Sequence, residues 1–505
     1  MDQEATLRAT GGGGTAVAAA VVVVAVVWVA SEVLRRKRCR LPPGPWGLPV
    51  VGNLLTLVGN ELPHRALTTL SKKYGPIVFL KLGAVPTILI SGCDLAKACL
   101  TGHNDKVFAS RPTMEVTRRL GFGQCAGIAM APFGDDWRQA RRLCSMQLFT
   151  TRRVNDFQPM RRSEIIALVG KIEGQVGQPV NLTQAIASLS EAMTCKMLLG
   201  KSLSEIGDQT LGIDMQMLVQ RMTDLFQRPI IGDFIPALGF LDRKTKVALD
   251  EVHTGFDILI SKLIDERQQR PARSPEVILD VLLDNLDANK AKTIMMELIG
   301  AAIDTSATTL DWAMAELVRN PKAMRRMQKE LDEVTKGEDR MIEEEELGSL
   351  VYTKAVLKEA MRLHTPVPLL LPHLSTETCH VGGYCIPKGC RLLVNVWAIG
   401  RDPKIWDEPQ DFKPERFLTK TGSLMDLRGQ NFELLPFGSG RRLCPGMPLA
   451  IPLILCTLAN LVHTFDWHLH PNHPLDMSER FGAVANRAHP LLVIPKLRHN
   501  HLGLA

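Results

Sequence analysis

From about residue 290 to residue 319 the chain runs without a proline and with a single glycine, Gly300. A stretch like that favours one long helix, and Asn320-Pro321 marks its end, because a proline disfavours helical backbone in the residue before it. Further helical candidates lie at 136–148, 159–175, 181–200, 208–226, 242–268, 275–286, 322–335 and 351–364. Strand-like runs are few: 77–82, 87–90 and pieces within 380–396, followed by a proline-rich meander at 402–417. The expected fold is mostly α with a minor β part, in one large body. Composition agrees: 505 residues, 45% hydrophobic, can bury a large core and are too apolar for a disordered chain. The 39 glycines and 31 prolines show no collagen-like excess. A net charge of +7 suits a body beside an anionic membrane or an acidic partner better than a nucleic-acid clamp. Eleven cysteines without a CxxC pair argue against a disulfide scaffold and against a zinc site of paired cysteines, and most read as small buried hydrophobes in a reducing compartment.

One cysteine has a different context. Residues 436–446 read Pro-Phe-Gly-Ser-Gly-Arg-Arg-Leu-Cys-Pro-Gly, so Gly438 and Gly440 stand six and four residues before Cys444. Glycines at that spacing permit a tight bulged turn with positive φ. The apolar run from Met447 onward reads as a helix, which puts Cys444 just ahead of a helix amino terminus with Arg441 and Arg442 close by. Free N–H groups, the helix dipole and a nearby cation favour thiolate over thiol. A thiolate on a glycine-bounded loop can serve as axial ligand to haem iron. Gly446 would let the backbone approach a flat macrocycle, and Arg442 can pair with a carboxylate on its rim. The plain alternative is a core cysteine in a turn. Phe437, Gly440, Arg442, Cys444 and Gly446 fix five residue types, and at roughly 5% per type chance gives the pattern about once in several thousand chains of this length.

The segment 437–446 resembles the haem-binding loop of the cytochrome P450 superfamily, and the resemblance extends in order along essentially the whole chain. It implies the family's fold, with haem b (iron protoporphyrin IX) between a long central helix and the loop of Cys444, the iron's axial ligand; Phe437, Gly438 and Gly446 shape that loop. Glu359 and Arg362 stand three apart in a helical stretch, where such a pair is in itself common. The resemblance adds Arg416 of the meander, giving a buried structural lock in which a Glu sits between two arginines. Ala301-Ala302-Ile303-Asp304-Thr305-Ser306 matches the oxygen-activation motif on the central helix. There Thr305 would anchor water and pass protons, and Asp304 would connect the site to solvent. Ala302 stands where the family usually has Gly, which concerns the helix groove and not the chemistry. Trp137 and Arg141, four apart on one helical face, match the pair that reaches the haem propionates, although an exposed aromatic–cation pair has the same spacing. His373 matches another propionate-contacting position, although a lone His is more often simply satisfied by backbone.

The amino terminus carries an uninterrupted run of Ala, Val and one Trp from Ala16 to Ala30, within an apolar stretch from Gly11 to Leu34. The strict run is short for a bilayer; the longer stretch suffices. A cleaved signal peptide would have its basic residues first, whereas here Asp2 and Glu4 precede the run and Arg35-Arg36-Lys37-Arg38 follow it. By the positive-inside rule the rest of the chain stays in the cytosol. The expected organisation is an anchor at 1–34, a basic block and proline-rich hinge at 35–49 and a haem-thiolate catalytic domain at 50–505. The anchor, basic block and Pro-Pro-Gly-Pro strut resemble those of the microsomal plant-type branch, which implies single-pass residence in the endoplasmic reticulum membrane.

No GxGxxG loop follows a strand and no flavin motif is present, so electrons must come from a partner. The family implies NADPH–cytochrome P450 reductase, with O2 and NADPH-derived electrons as co-substrates; Arg138, Arg141 and Arg142 offer a basic face for it, or a merely solvated one. The stretches 426–437 and 394–398 resemble plant hydroxylases of flavonoids, phenolic esters and monoterpenoids. Pocket walls expected near 112–122, 299–304, 367–371 and 481–485 are mainly small or aliphatic and suit an apolar or aromatic ring. A monooxygenase is the reading these parts favour. A haem-thiolate isomerase or dehydratase working without O2, and a non-catalytic haem or ligand binder in the membrane, stay open as alternatives.

Overall fold

The computed structural model describes residues 40–499 except 58, 60–61, 123–126, 203–204, 209–212, 227, 270–276, 420–421, 423–424, 481 and 483. The expected anchor, and the basic block up to residue 39, lie outside the described residues. A helix from Ala288 to Arg319 runs through the body. The Asp287 carboxylate starts it by accepting the Lys290 N–H at 2.9 Å. Arg319 in its last turn complements the dipole, and Asn320, at φ −119° before Pro321, ends it as the sequence suggested. This central helix packs most extensively on Leu182–Leu199, Val351–Leu363 and Met447–Thr464. The first is capped by Asn181, which accepts the Gln184 N–H at 3.0 Å, and closes on Gly200 at φ +75°. Together they enclose the main hydrophobic core, in which Ile299, Leu310, Leu357 and Leu458 are at most 1% exposed.

The β part is small and lies mostly in one sheet. Its strand order is Ile77–Leu82, Val85–Ile90, Arg391–Val394, His373–Leu374, with the middle pair parallel and the outer pairs antiparallel. A second sheet joins Phe465–Leu469, Leu492–Leu497 and Val180–Asn181, bringing the carboxyl-terminal strand back against the helical core.

Three sequence-based boundaries shift. The helix expected at 208–226 begins at Met215, because the Asp214 carboxylate takes the N–H groups of Gln216 and Met217 and nucleates the first turn there; ahead of it Gly207–Asp208 pairs with Ile213–Asp214. The strand-like stretch 380–396 divides into a hairpin and a separate strand. Gly382 and Gly383, at φ +57° and +80°, turn Cys379–Val381 onto Tyr384–Ile386. At Val396 a short helix starts, because Asn395 caps it by accepting the Ala398 N–H. The helix at 136–148 also changes character, its last turn widening into a π-turn at Cys144–Leu148. Cys385 is disulfide-bonded, while most of the free thiols are buried, in line with their reading as core residues.

Candidate active site

Cys444 ends a loop whose path its glycines dictate. Gly438 and Gly440 adopt φ +71° and +65°, and a Cβ on Gly440 would lie 2.4 Å from Asp105 Oδ1 and 2.6 Å from the Leu100 carbonyl oxygen. Asp105 accepts the Arg441 N–H at 3.0 Å, and the Cys444 N–H donates to the Phe437 carbonyl at 2.9 Å, closing the loop on itself. Phe437 packs against the main core. Helix Met447–Thr464 then begins, and its first N–H, with that of Gly446, points at the sulfur. Burial pushes the Cys444 thiol up, while the Gly446 and Met447 amides and the Arg141 charge pull it down.

The region around the sulfur is enclosed by protein yet keeps accessible surface. Cys444 through Pro452 are not buried, whereas the same helix from Leu453 to Thr464 is buried throughout. A Cβ added on Gly446 would meet only Cys444 Sγ, at 4.0 Å, outside its own chain neighbours, so little protein stands over this glycine beside the sulfur. The central helix shows the same interruption: Ala301 is exposed and Ala302, Asp304 and Thr305 half-buried, beside the buried Ile299 and Ile303. Thr305 donates its hydroxyl proton to the Ala301 carbonyl at 2.8 Å, and the Thr305 carbonyl accepts from Thr309 at 2.9 Å. Asp304 is pushed up by burial, against a hydrogen bond from Thr223 and the charge of Arg480. In the stretch 367–371, Leu370 sits at φ +52°, strained backbone for a branched side chain, and Leu371 next to it is 40% exposed.

Cations gather beside this opening. Arg442 stacks over Trp137 at 4.3 Å and donates to the carbonyls of Ala109, Ile128 and Ala131. Trp137 gives its indole N–H to the Ile128 carbonyl at 3.0 Å. Arg141 makes no side-chain hydrogen bond or ion pair with any described residue; burial pulls its pKa down and the fields of Cys144 and Cys444 push it up. His373 shares Nδ1 with the Phe108 carbonyl at 2.8 Å, and burial together with Arg111 and Arg442 holds it neutral, well below the usual imidazole range. The structure thus brings together Arg442, Trp137, Arg141 and His373. It differs from expectation in one respect: the polar hydrogens of Arg442 and Trp137 are engaged by backbone carbonyls, so a carboxylate would have to exchange with those carbonyls.

Two further residues belong here that sequence reasoning missed. Arg111 is buried and donates to the carbonyls of Ala129, Leu371 and Pro372 at 3.1, 2.8 and 3.0 Å. Glu297, one turn ahead of Ala301, accepts the N–H groups of Ile128, Ala129 and Met130 at 2.5, 2.9 and 3.3 Å, and burial pushes its carboxyl up despite them. Its signal was a single acid in the apolar run Ile294–Ile299; Arg111, alone in an extended loop, gave none. Three guanidiniums, that of Arg111 buried and those of Arg141 and Arg442 half-buried, stand against one carboxylate and leave an excess of positive charge. An excess of that sign away from water calls for an anionic partner, and two propionates supply it. The donor set, the open sulfur and the bare stretch of central helix all fit haem.

On the helix Val351–Leu363 lies the Glu359 lock. Glu359 and Arg362 are fully buried and form two hydrogen bonds at 2.7 and 2.8 Å. Glu359 Oε1 also accepts Arg416 Nε at 3.0 Å and the Lys413 N–H at 2.8 Å. Arg362 spends its remaining donors on the carbonyls of Gly400, Pro409 and Asp411, and Arg416 on those of Asp407, Glu408 and Asp411. One carboxylate therefore fastens the meander to the helix.

The family model for cytochrome P450 matches residues 42–494. The chain belongs to that family. Among curated P450s, "Cytochrome P450 CYP736A12" from Panax ginseng is 39% identical over 93% of this chain and 96% of the relative. "Flavonoid 3'-monooxygenase" from Petunia hybrida is 36% identical over 91% and 92%. Among solved structures a zebra fish cytochrome P450 with progesterone superposes with a TM-score of 0.75 at 29% identity, covering 86% of this chain and 100% of its own. The fold is therefore the P450 fold and the protein a plant-type P450 monooxygenase. P450s of this kind use haem with O2 and electrons derived from NADPH through a reductase.

Proposed function

We propose that this P450 is a membrane-anchored hydroxylase of a small apolar or aromatic specialised metabolite, a phenylpropanoid, flavonoid or terpenoid. Cys444 would ligate the haem iron through its sulfur, and the enclosed but uncovered sulfur at a helix amino terminus is the observation that carries the reading. Arg442, Trp137, Arg141 and His373 would hold the propionates together with Arg111, while Phe437, Gly438 and Gly446 would keep the cysteine loop in shape. When bound, the haem supplies O2 reduction and transfer of one oxygen atom. The chain's own task is positioning and proton supply. Thr305 holds its hydroxyl against the Ala301 carbonyl at the bare stretch of helix, poised to release it to water in the groove. Asp304, pushed up by burial, carries the proton inward from the side of Thr223 and Arg480. Glu359, Arg362 and Arg416 keep the meander in place so that haem can be incorporated.

The substrate class rests on two supports. The exposed side chains at the opening, Ala301 and Leu371, are small or aliphatic, and two relatives over nine-tenths of the chain carry the names flavonoid 3'-monooxygenase and, from Sinopodophyllum hexandrum at 37% identity, desmethyl-deoxy-podophyllotoxin synthase. Residues 1–34 would form the single-pass anchor, 35–49 the hinge and 50–505 the catalytic domain on the cytosolic face of the endoplasmic reticulum. NADPH–cytochrome P450 reductase would dock on the basic face; there Arg138 and Arg142 are exposed, while Arg141 is half-buried. The test is the reduced, carbon-monoxide-bound difference spectrum of wild type and Cys444→Ser. A red-shifted Soret band lost in the variant is expected. Its absence from haem-replete wild type would refute the Cys444 assignment. Phenolic and terpenoid substrates are then screened with reductase; turnover without reductase would instead favour an isomerase or dehydratase.

A further inference from the structure

The helix that begins after Cys444 carries a second cluster of ligand-type side chains at its other end, about 25 Å along its axis. His463, in the last turn, is fully buried. His499 follows the strand Leu492–Leu497, and Asp332 stands in the last turn of the helix Pro321–Thr335. The donor atoms of all three lie within 4.8 Å of one another. Asp332 Oδ1 is 3.3 Å from His463 Nδ1 and 3.3 Å from His499 Nε2. A tetrahedral ion with bonds of about 2.0–2.1 Å sets its ligand atoms about 3.3–3.4 Å apart, so both distances already have the length of a tetrahedral edge.

The surroundings orient the donors. The imidazole rings stack with centroids 4.5 Å apart and planes at 26°, which brings both nitrogen edges to one carboxylate oxygen. Asp339 Oδ1 lies 2.8 Å from His499 Nδ1, where it would hold the Nδ1 proton when Nε2 turns its lone pair to an ion beside Asp332. Arg498 donates to the other Asp332 oxygen at 2.8 Å, leaving Oδ1 to the imidazoles. The Asp332 side chain is 37% exposed, enough for an ion to enter and for water to complete its shell. Two nitrogens and one carboxylate suit zinc, whereas magnesium and calcium take oxygen ligands.

We propose that Asp332, His463 and His499 bind one zinc-type divalent ion, with Asp339 as the outer partner of His499. The ion would clasp the ends of two helices to the carboxyl-terminal segment, away from the haem. The test uses full-length, haem-loaded protein, freed of metal with a chelator and titrated calorimetrically with zinc chloride in excess magnesium. One equivalent is expected, with X-ray absorption showing nitrogen and oxygen at about 2.0–2.1 Å. His499→Ala and Asp332→Asn should abolish that equivalent, and Asp339→Asn should weaken it by about 10- to 100-fold. The carbon-monoxide spectrum of each variant reports that the fold is intact. Should Asp332→Asn fail to fold because Arg498 loses its partner, His499→Ala, with its side chain 18% exposed near the chain's end, decides. No saturable binding in wild type, or undiminished binding in His499→Ala, overturns the proposal; in the latter case the zinc sits elsewhere, for instance at His470 and His473.

Discussion

Replacing Glu359 by Gln changes one oxygen to an amide nitrogen and removes one charge from a site with no exposure. With the amide oxygen in the Oε1 position, the bonds from Arg362 Nη2, Arg416 and the Lys413 N–H survive, while the amide nitrogen faces the Arg362 Nε–H donor. Two guanidiniums are then left without a countercharge. Breaking a buried ion pair by removing one partner costs about 3–5 kcal/mol. Against a total of about 5–15 kcal/mol for a folded domain, that is a large fraction, equivalent to about two to four powers of ten in the folded-to-unfolded ratio. Glu359→Gln should therefore lower the unfolding free energy by that amount, measured by guanidinium titration followed by circular dichroism at matched haem loading. Expressed protein should also carry much less haem, because the meander is no longer fastened. Full haem content in Glu359→Gln with a stability loss under about 1 kcal/mol would refute the electrostatic account of the lock.

Three other outcomes follow from the same geometry. Thr305→Ala should leave the carbon-monoxide spectrum intact and raise the hydrogen peroxide released per NADPH consumed; unchanged coupling would remove Thr305 from proton handling. Arg141→Ala should leave the haem-free fold unaffected, because Arg141 bonds to no described residue, yet weaken haem retention by about 10- to 100-fold if a charged hydrogen bond of about 1.5–3 kcal/mol is lost; haem transfer to a competing binder measures it. Glu479, 3% exposed, would be pushed up by burial, but His64, Arg65 and Arg401 hold it at about 2 against an ordinary value of 4.5. A depressed carboxyl stabilises above its unfolded value and loses that stabilisation as pH falls from about 4.5 to about 2. The shift corresponds to about 3 kcal/mol, so Glu479→Gln should flatten the pH 5-to-2 arm of the stability curve, and an unaltered arm would show that the pair contributes nothing.

The parts legible in the sequence are those set by neighbours along the chain. The Cys444 loop could be read because its turn needs glycine at two positive-φ positions within ten residues. The central helix could be read because nothing within it breaks a helix. Where a local competitor intervenes, the boundary moves: Asp214 caps a helix that begins seven residues after the start of the apolar pattern, and Asn395 starts one inside a strand-like run. Arg111 and Glu297 were hidden for a different reason. Glu297 acts on backbone N–H groups about 170 residues earlier in the chain, and Arg111 on carbonyls 260 residues later; no periodicity carries such a pairing.

On the proposed haem site, those two residues would let one set of cations serve the protein with and without its cofactor. Arg442 and Trp137 bind the loop 128–131 through carbonyls that a carboxylate would displace. Released carbonyls can turn to water, but the loop itself would come loose if those were its only ties. Glu297 holds the same loop by the opposite groups, its N–H donors, and Arg111 keeps the Ala129 carbonyl. Neither bond competes with an anion at Arg442. The loop is thus anchored through its donors to the central helix while its acceptors are exchangeable. The charge balance has the same logic, with Glu297 as the fixed countercharge and Arg141 left over for an incoming carboxylate. A Glu297→Gln variant keeps the shape and one acceptor but loses that countercharge, so it should order the loop less well and should not by itself alter the ligation of Cys444. Limited proteolysis between residues 121 and 131 separates the two effects: faster cleavage with an unshifted carbon-monoxide band supports this division of labour, and a lost band with unchanged cleavage contradicts it.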